Sequence, residues 1–160
     1  IVAKVNGHCL AGGMGLMLAC DMVYARDQVK FGTPEVNVGV FPMMIAALIF
    51  RNATRKKASE MIFTARLLSA AEAEDMGLIT RTVPAEDLDR IVDETLAAIA
   101  AKAPLAIKLG KHALASVEDM DLDQALDFLA VQLARVAGTE DAKEGLIAFL
   151  EKRAPVWKGQ

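Results

Sequence analysis

The sequence predicts an α/β core that gives way to an all-helical region, and three observations carry that reading. An apolar run, Ile1-Val2-Ala3-Lys4-Val5, stops at Asn6-Gly7 and is followed by a glycine pair and a helical pattern. Further short β-type runs recur as far as Val83. Beyond Pro84 the apolar residues recur only at helical spacing. The expected organisation is a core over residues 1–83 and a helical region over 84–160.

Taken in order, Ile1–Val5 reads as a short buried strand. Gly12 and Gly13 open a helix to about Cys20, with Leu16, Leu18 and Ala19 expected inward. Met22–Ala25 and Val29–Phe31 are strand candidates around the polar turn Arg26-Asp27-Gln28, and 32–39 is a loop holding Pro34 and Glu35. Met43–Phe50 and Arg55–Phe63 alternate apolar and basic residues at helical spacing. Ser69-Ala70-Ala71-Glu72 is a capping-box pattern, in which hydroxyl and carboxylate each satisfy an orphan N–H of a helix start. That helix ends at Gly77, and Leu78–Val83 reads as a strand.

Pro84 begins the next helix, with Leu88, Ile91, Val92, Leu96 and Ile99 on one face, and Pro104 starts another. Leu122, Leu126, Leu129, Leu133 and Val136 line the one after, stopped by Gly138. Thr139 caps the last, where Ala142, Leu146, Phe149 and Leu150 are expected inward. Helices with such long apolar faces need a surface to pack on, and a partner subunit is the expected one.

Composition narrows the function. Hydrophobic residues make up 54% of the 160 and aromatic ones only 5%, so Ala, Leu, Ile, Val and Met fill the core. A net charge of −3 and a pI near 5.4 argue against a nucleic-acid surface, which needs clustered Lys and Arg. The longest apolar stretch, Val40–Phe50, contains Pro42 and falls short of the roughly 20 residues that span a bilayer. No membrane association is expected. Cys9 and Cys20 make no disulfide framework, so a reducing, cytoplasmic location is expected. Because Ile1 already lies inside a strand pattern, the chain is expected to be the C-terminal portion of a longer polypeptide, with any targeting segment upstream.

The chemistry concentrates in two places. Val5-Asn6-Gly7-His8-Cys9-Leu10-Ala11-Gly12-Gly13-Met14-Gly15-Leu16 sets a glycine turn before a helix. Gly12 has no Cβ to keep a substrate oxygen from the main chain, and the helix start favours negative charge. Taken alone, a Gly-Gly pair is more simply a tight turn. Glu35 then follows Pro34 among Phe31, Val36, Val38 and Val40, where a carboxylate is partly desolvated and suited to moving a proton. A lone glutamate is usually a surface residue; its pairing with the upstream turn favours a functional reading.

Other chemistries find no support. Leu18 stands where a G-x-G-x-x-G fingerprint counted from Gly13 needs glycine. His8 and His112 have no metal-ligand spacing, so no metal is expected; His8 reads as a packing or rim residue and His112 as solvated. Asp21 reads as structural. No G-x-S-x-G occurs.

In order and spacing these motifs resemble the crotonase family, the enoyl-CoA hydratases and isomerases. The resemblance continues through Lys57-Ala58, Thr64-Ala65-Arg66, Ser69-Ala70-Ala71-Glu72-Ala73 and Gly77-Leu78-Ile79 to Glu144-Gly145 and Phe149-Leu150-Glu151-Lys152-Arg153. It implies a crotonase-like ββα spiral core lacking its N-terminal part, followed by C-terminal helices that form trimers, often paired as hexamers. It also implies an acyl-CoA substrate, with coenzyme A part of that substrate and no separate cofactor.

Residue by residue, Gly12 matches the glycine donating one oxyanion-hole N–H, and Glu35 matches the second catalytic glutamate of the hydratases. Leu10, Met14, Gly15, Pro34, Phe41 and Met43, within or beside the two motifs, are the expected substrate contacts. Phe149 and Lys152 match positions that touch the CoA of a neighbouring subunit.

Two departures from the family pattern bear on the reaction. Gly15 stands where hydratases carry their first glutamate, and Gly39-Val40-Phe41-Pro42-Met43-Met44-Ile45 replaces a proline followed by a glycine-rich run. With one carboxylate over an enolate, double-bond isomerisation is expected in preference to hydration. Restoring the acid, Gly15→Glu, is expected to raise hydration. The competing expectation is a non-catalytic acyl-CoA-binding or assembly member of the same fold.

Overall fold

Short strands of the first half pair into two small sheets. Val2–Val5 (β1) runs parallel to Met22–Arg26 (β3), with Val2 opposite Met22 and Val5 opposite Ala25. Arg81–Val83 (β6) joins the far side of β3, also in parallel. In the second sheet Cys9–Leu10 (β2) lies parallel to Lys30–Gly32 (β4), which pairs antiparallel with Leu68–Ser69 (β5). The computed structural model describes residues 1–160 and divides into two units, Ile1–Leu96 and Ala97–Gln160.

In the first unit β3 is buried on both faces, as central parallel strands are. Val23 and Ala25 join the main core, whereas Tyr24 points the other way against Val83, Leu88 and Val92. Its hydroxyl accepts a hydrogen bond from Thr95 Oγ1 at 3.2 Å. The main core is filled from three helices, Gly12–Leu18 (α1), Met43–Asn52 (α2) and Arg55–Thr64 (α3), through Met14, Met17, Ile49, Met61 and Ile62. A fully buried side chain of this size stabilises the fold by about 1.5–3 kcal/mol.

The capping box is present at Ala70–Asp75 (α4). Ser69 Oγ accepts from Glu72 N, and Glu72 Oε2 accepts from Ser69 N at 2.7 Å. Arg66 also donates to Glu72, and these hydrogen bonds, the one from the Ser69 backbone foremost, hold the Glu72 carboxyl down at about 2.

Several expectations change. In α1 the inward stripe is Met14, Met17 and Leu18, at helical i, i+3, i+4 spacing; Leu16 is 78% exposed and Ala19 is exposed. The last strand of the first half begins at Arg81 rather than Leu78. Thr80 brings it to β3 through its side chain, Oγ1 accepting from Val23 N at 2.9 Å. The first unit reaches Leu96, and within it Leu88 and Val92 of Leu88–Ala100 (α5) pack with Tyr24 and Val83.

In the second unit Pro104–Val117 (α6), Leu122–Ala137 (α7) and Glu140–Leu150 (α8) pack against one another. Its interior is thin. Ala113 and Ala148 are its only buried hydrophobic side chains, while Leu122, Leu126 and Leu133 are more than half exposed. Asp121 and Thr139 cap α7 and α8 by accepting from Gln124 N and Ala142 N. On α8 the expected inner line is corrected, since Leu146, Phe149 and Leu150 are 67–80% exposed and Ala142 is half-buried. Asp141 and Ala148 face inward instead.

The reason lies in the tail, which returns along α8. Buried Asp141 accepts from the backbone N–H groups of Lys158 at 2.7 Å and Gly159 at 3.0 Å. The Trp157 indole donates to Ala101 O at 2.9 Å, and its ring covers Gly145, where an added Cβ would meet it at 3.2 Å. Arg153 donates through both terminal nitrogens to Glu144, holding that carboxyl at about 2.

Candidate active site

The two motifs come off neighbouring strands. Leu10 on β2 is the register partner of Gly32 on β4, and Ala11 N extends the pairing by donating to Gly32 O at 3.0 Å. Strands in one sheet lie about 4.8 Å apart. Gly12 therefore follows the end of one parallel strand and Glu35 follows the end of its neighbour, so both segments leave the same end of this strand pair.

On the first strand, Ala11 turns the chain with φ 49° and ψ −128°, a left-handed conformation that side chains other than glycine's rarely adopt. Gly12 then starts α1. Its N–H is an orphan donor of the helix start, no side chain caps it, and the space where its Cβ would stand is open. The main chain is thus bare at this point. Cys9 lies behind the turn, its Sγ 3.7 Å from where a Gly13 Cβ would sit, and burial pushes its thiol up.

On the second strand the expected loop is a 3-10 turn, Pro34–Val38, started by proline and closed by Gly39 at φ 77°. The chain packs closely at Gly32, where a Cβ would lie 2.7 Å from the movable end of Leu67, Cδ2, and 3.3 Å from Arg66 O. That close approach fixes the segment leading to Glu35. Glu35 is half-buried, and no protein group donates to its buried Oε2. Thr33 is fully buried with its Oγ1 equally unpartnered. Two polar atoms without protein partners in one short segment are a costly arrangement, and such groups call for a functional account.

The remaining expected contacts divide. Leu10 and Pro34 are half-buried beside the two motifs. Phe41 packs at a tilt on Phe63, ring centroids 6.2 Å apart, and Met43 is 74% exposed at the start of α2. Gly15 lies against α2, where a Cβ would meet Ile45 Cγ1 at 3.3 Å. Met14 is fully buried in the core and supports α1 from beneath. Phe149 and Lys152 belong to the second unit, Phe149 80% exposed and Lys152 in an exposed turn with φ 54°.

His8 is a rim residue that holds the sheet, its Nδ1 accepting from Lys30 N at 3.1 Å, and His112 is exposed. No three His, Cys, Asp or Glu side chains gather as a metal cage would need. Cys9 and Cys20 are free thiols. No helix is long and apolar enough to cross a membrane. Sequence reasoning missed three features: the strained Ala11, the buried Thr33 and the Gly15–Ile45 contact. For Ala11 a signal existed, since it occupies the turn position directly before two glycines.

A profile of the enoyl-CoA hydratase/isomerase family matches residues 1–160. The chain belongs to this family. Among its relatives, a protein named probable enoyl-CoA hydratase, mitochondrial, of Dictyostelium discoideum is 34% identical, the match covering 98% of this chain and 57% of the relative. Enoyl-CoA hydratase domain-containing protein 3, mitochondrial, of rat is 38% identical over 98% of this chain and 52% of its own length. Among solved structures, the enoyl-CoA hydratase of Mycobacterium smegmatis superposes with a TM-score of 0.95 at 33% identity, covering 98% of this chain and 61% of that one. The human enoyl-CoA hydratase domain-containing protein 3 gives 0.95 at 35% identity, covering 98% and 62%. The chain thus spans little more than half the length of these family members.

Proposed function

We propose that this chain carries one oxyanion donor and the acid/base residue of an enzyme acting on acyl-CoA thioesters, with double-bond isomerisation favoured over hydration. The Gly12 N–H and a second donor outside this chain receive the thioester oxygen as it becomes an enolate. Each such donor lowers the barrier by about 2.7–4 kcal/mol. Glu35 takes a proton from C2 of a 3-enoyl thioester, the C3–C4 double bond shifts to C2–C3, and the same carboxyl returns the proton to C4. Electrons, protons and the carboxylate are all restored at the end of the cycle.

The observation that carries this reading is a bare Gly12 amide and an unpartnered Glu35 Oε2 in the segments that follow two adjacent parallel strands. Gly15 supports isomerisation, since activating a water for hydration uses a second carboxylate that position 15 lacks. The uncovered apolar side chains of α7 and α8, over a thin interior, support assembly into a trimer or hexamer.

In the full-length protein, Glu35→Gln is expected to cut turnover by about 10²–10⁴-fold while acyl-CoA binding persists. Normal turnover by this variant overturns the role of Glu35. A non-catalytic acyl-CoA-binding or assembly member is the second reading, favoured by Gly15 and by the solvent-facing Met43 and Met44. Incubating 3-enoyl-CoA and 2-enoyl-CoA separately with the wild type distinguishes the two, because the second reading requires that neither is converted.

A further inference from the structure

Glycine inside a helix is unfavourable, and α1 holds three within its seven residues. Gly12 faces open space and Gly13 has ordinary clearance, but Gly15 does not. A Cβ at position 15 would stand 3.3 Å from Ile45 Cγ1 and 4.0 Å from Ile45 Cγ2. Both γ-carbons of one side chain therefore cover the same glycine. Isoleucine in a helix is held to essentially one χ1 rotamer, so it cannot swing one branch clear without presenting the other. Ile45 also packs on the core through α2, and moving that helix disturbs fully buried Ile49 one turn on.

We infer that Gly15 and Ile45 act as one specificity element, in which Ile45 fills the space that any acid at position 15 requires. The inference rests on the proposed active site. It joins the two departures from the family pattern into one physical event, since a glycine-rich run at 43–45 leaves that space open and isoleucine closes it. The wall one turn beyond Gly12 is then hydrocarbon. It offers no hydrogen-bond partner to a second carboxylate and no place for the water such a group would activate. The simple expectation that Gly15→Glu raises hydration is revised accordingly: the glutamate alone is driven onto the isoleucine.

The test compares Gly15→Glu, Ile45→Gly and the double variant in the full-length protein, using hydration of 2-enoyl-CoA as readout. The double variant is expected to hydrate at least about tenfold faster than wild type, the equivalent of 1.36 kcal/mol in the barrier. Gly15→Glu alone is expected to show no gain and a lower Tm. Equal gains in the single and double variants overturn the inference, as does a folded double variant without any gain.

A second measurement guards against misfolding and does not depend on activity. Gly15→Ala is expected to raise Tm by about 2–4 °C when Ile45 is alanine, and not to raise it when Ile45 is present. The same effect in both backgrounds overturns the inference. Failure of the proposed function shows elsewhere, in normal turnover by Glu35→Gln, and leaves this thermal cycle intact.

Discussion

Replacing Ala11 by glycine should stabilise the protein, against the usual direction for such a change. Ala11 holds φ 49° and ψ −128°, kept there by its own N–H donating to Gly32 O at 3.0 Å and its carbonyl accepting from Met14 N at 2.9 Å. Holding a non-glycine residue in so sparse a region costs on the order of 1–3 kcal/mol. Against that, glycine loses about 0.4–1 kcal/mol more chain entropy on folding. Removing the half-buried methyl costs part of about 0.8 kcal/mol. Relief exceeds loss by about 1 kcal/mol at mid-range, or roughly 2–4 °C in Tm.

Differential scanning calorimetry on Ala11→Gly measures this directly. Ala65→Gly is the companion variant: Ala65 is also left-handed, at φ 52° and ψ 26°, but its methyl is buried and its loss offsets more of the relief. Ala11→Gly should therefore gain more than Ala65→Gly. An unchanged or lower Tm for Ala11→Gly would show that the backbone is not strained there, and the argument would fail.

Other perturbations give equally definite expectations. Gly32→Ala drives a methyl onto Leu67 and the Arg66 carbonyl, with an overpacking cost of about 1–3 kcal/mol, measured by denaturant unfolding. Asp141→Asn takes the charge from the acceptor of the Lys158 and Gly159 N–H groups and sets an amide N–H where Oδ2 now accepts from Gly159, weakening charge-assisted bonds worth about 1.5–3 kcal/mol and exposing the tail to proteolysis at its C-terminal end. Glu72 and Glu144 both sit at about 2, below their unfolded range. Their contribution is complete above about pH 5 and is lost as pH falls from there through about 2. The drop in urea midpoint over that window should shrink in Glu72→Gln; an unchanged drop contradicts the assignment.

What could be read from residues alone was mostly local. The capping box at Ser69 and Glu72, Pro104 at a helix start and Thr139 as a cap need only near neighbours, and all three stand as expected. The two-residue strands Cys9–Leu10 and Leu68–Ser69 carry no periodicity of their own and exist only because β4 lies between them. Which stripe of α8 turns inward could not be read either. Asp141 is buried by distant backbone N–H groups at the chain end, so an apolar pattern naming Phe149 and Leu150 pointed the wrong way. At the site, Gly12 and Glu35 were visible as residue types in a pattern. The reason for Gly15 was not, because its partner Ile45 sits on another helix.

The exposure of Met43 and Met44 also decides how this molecule would age. Their thioethers, 74% and 88% exposed, meet a dissolved peroxide well before the sealed sulfurs of Met14 and Met61 do. Conversion to sulfoxide would set polar groups at the mouth of α2 while leaving the interior dry. The earliest oxidative damage would then fall at the start of α2 rather than on the buried scaffold.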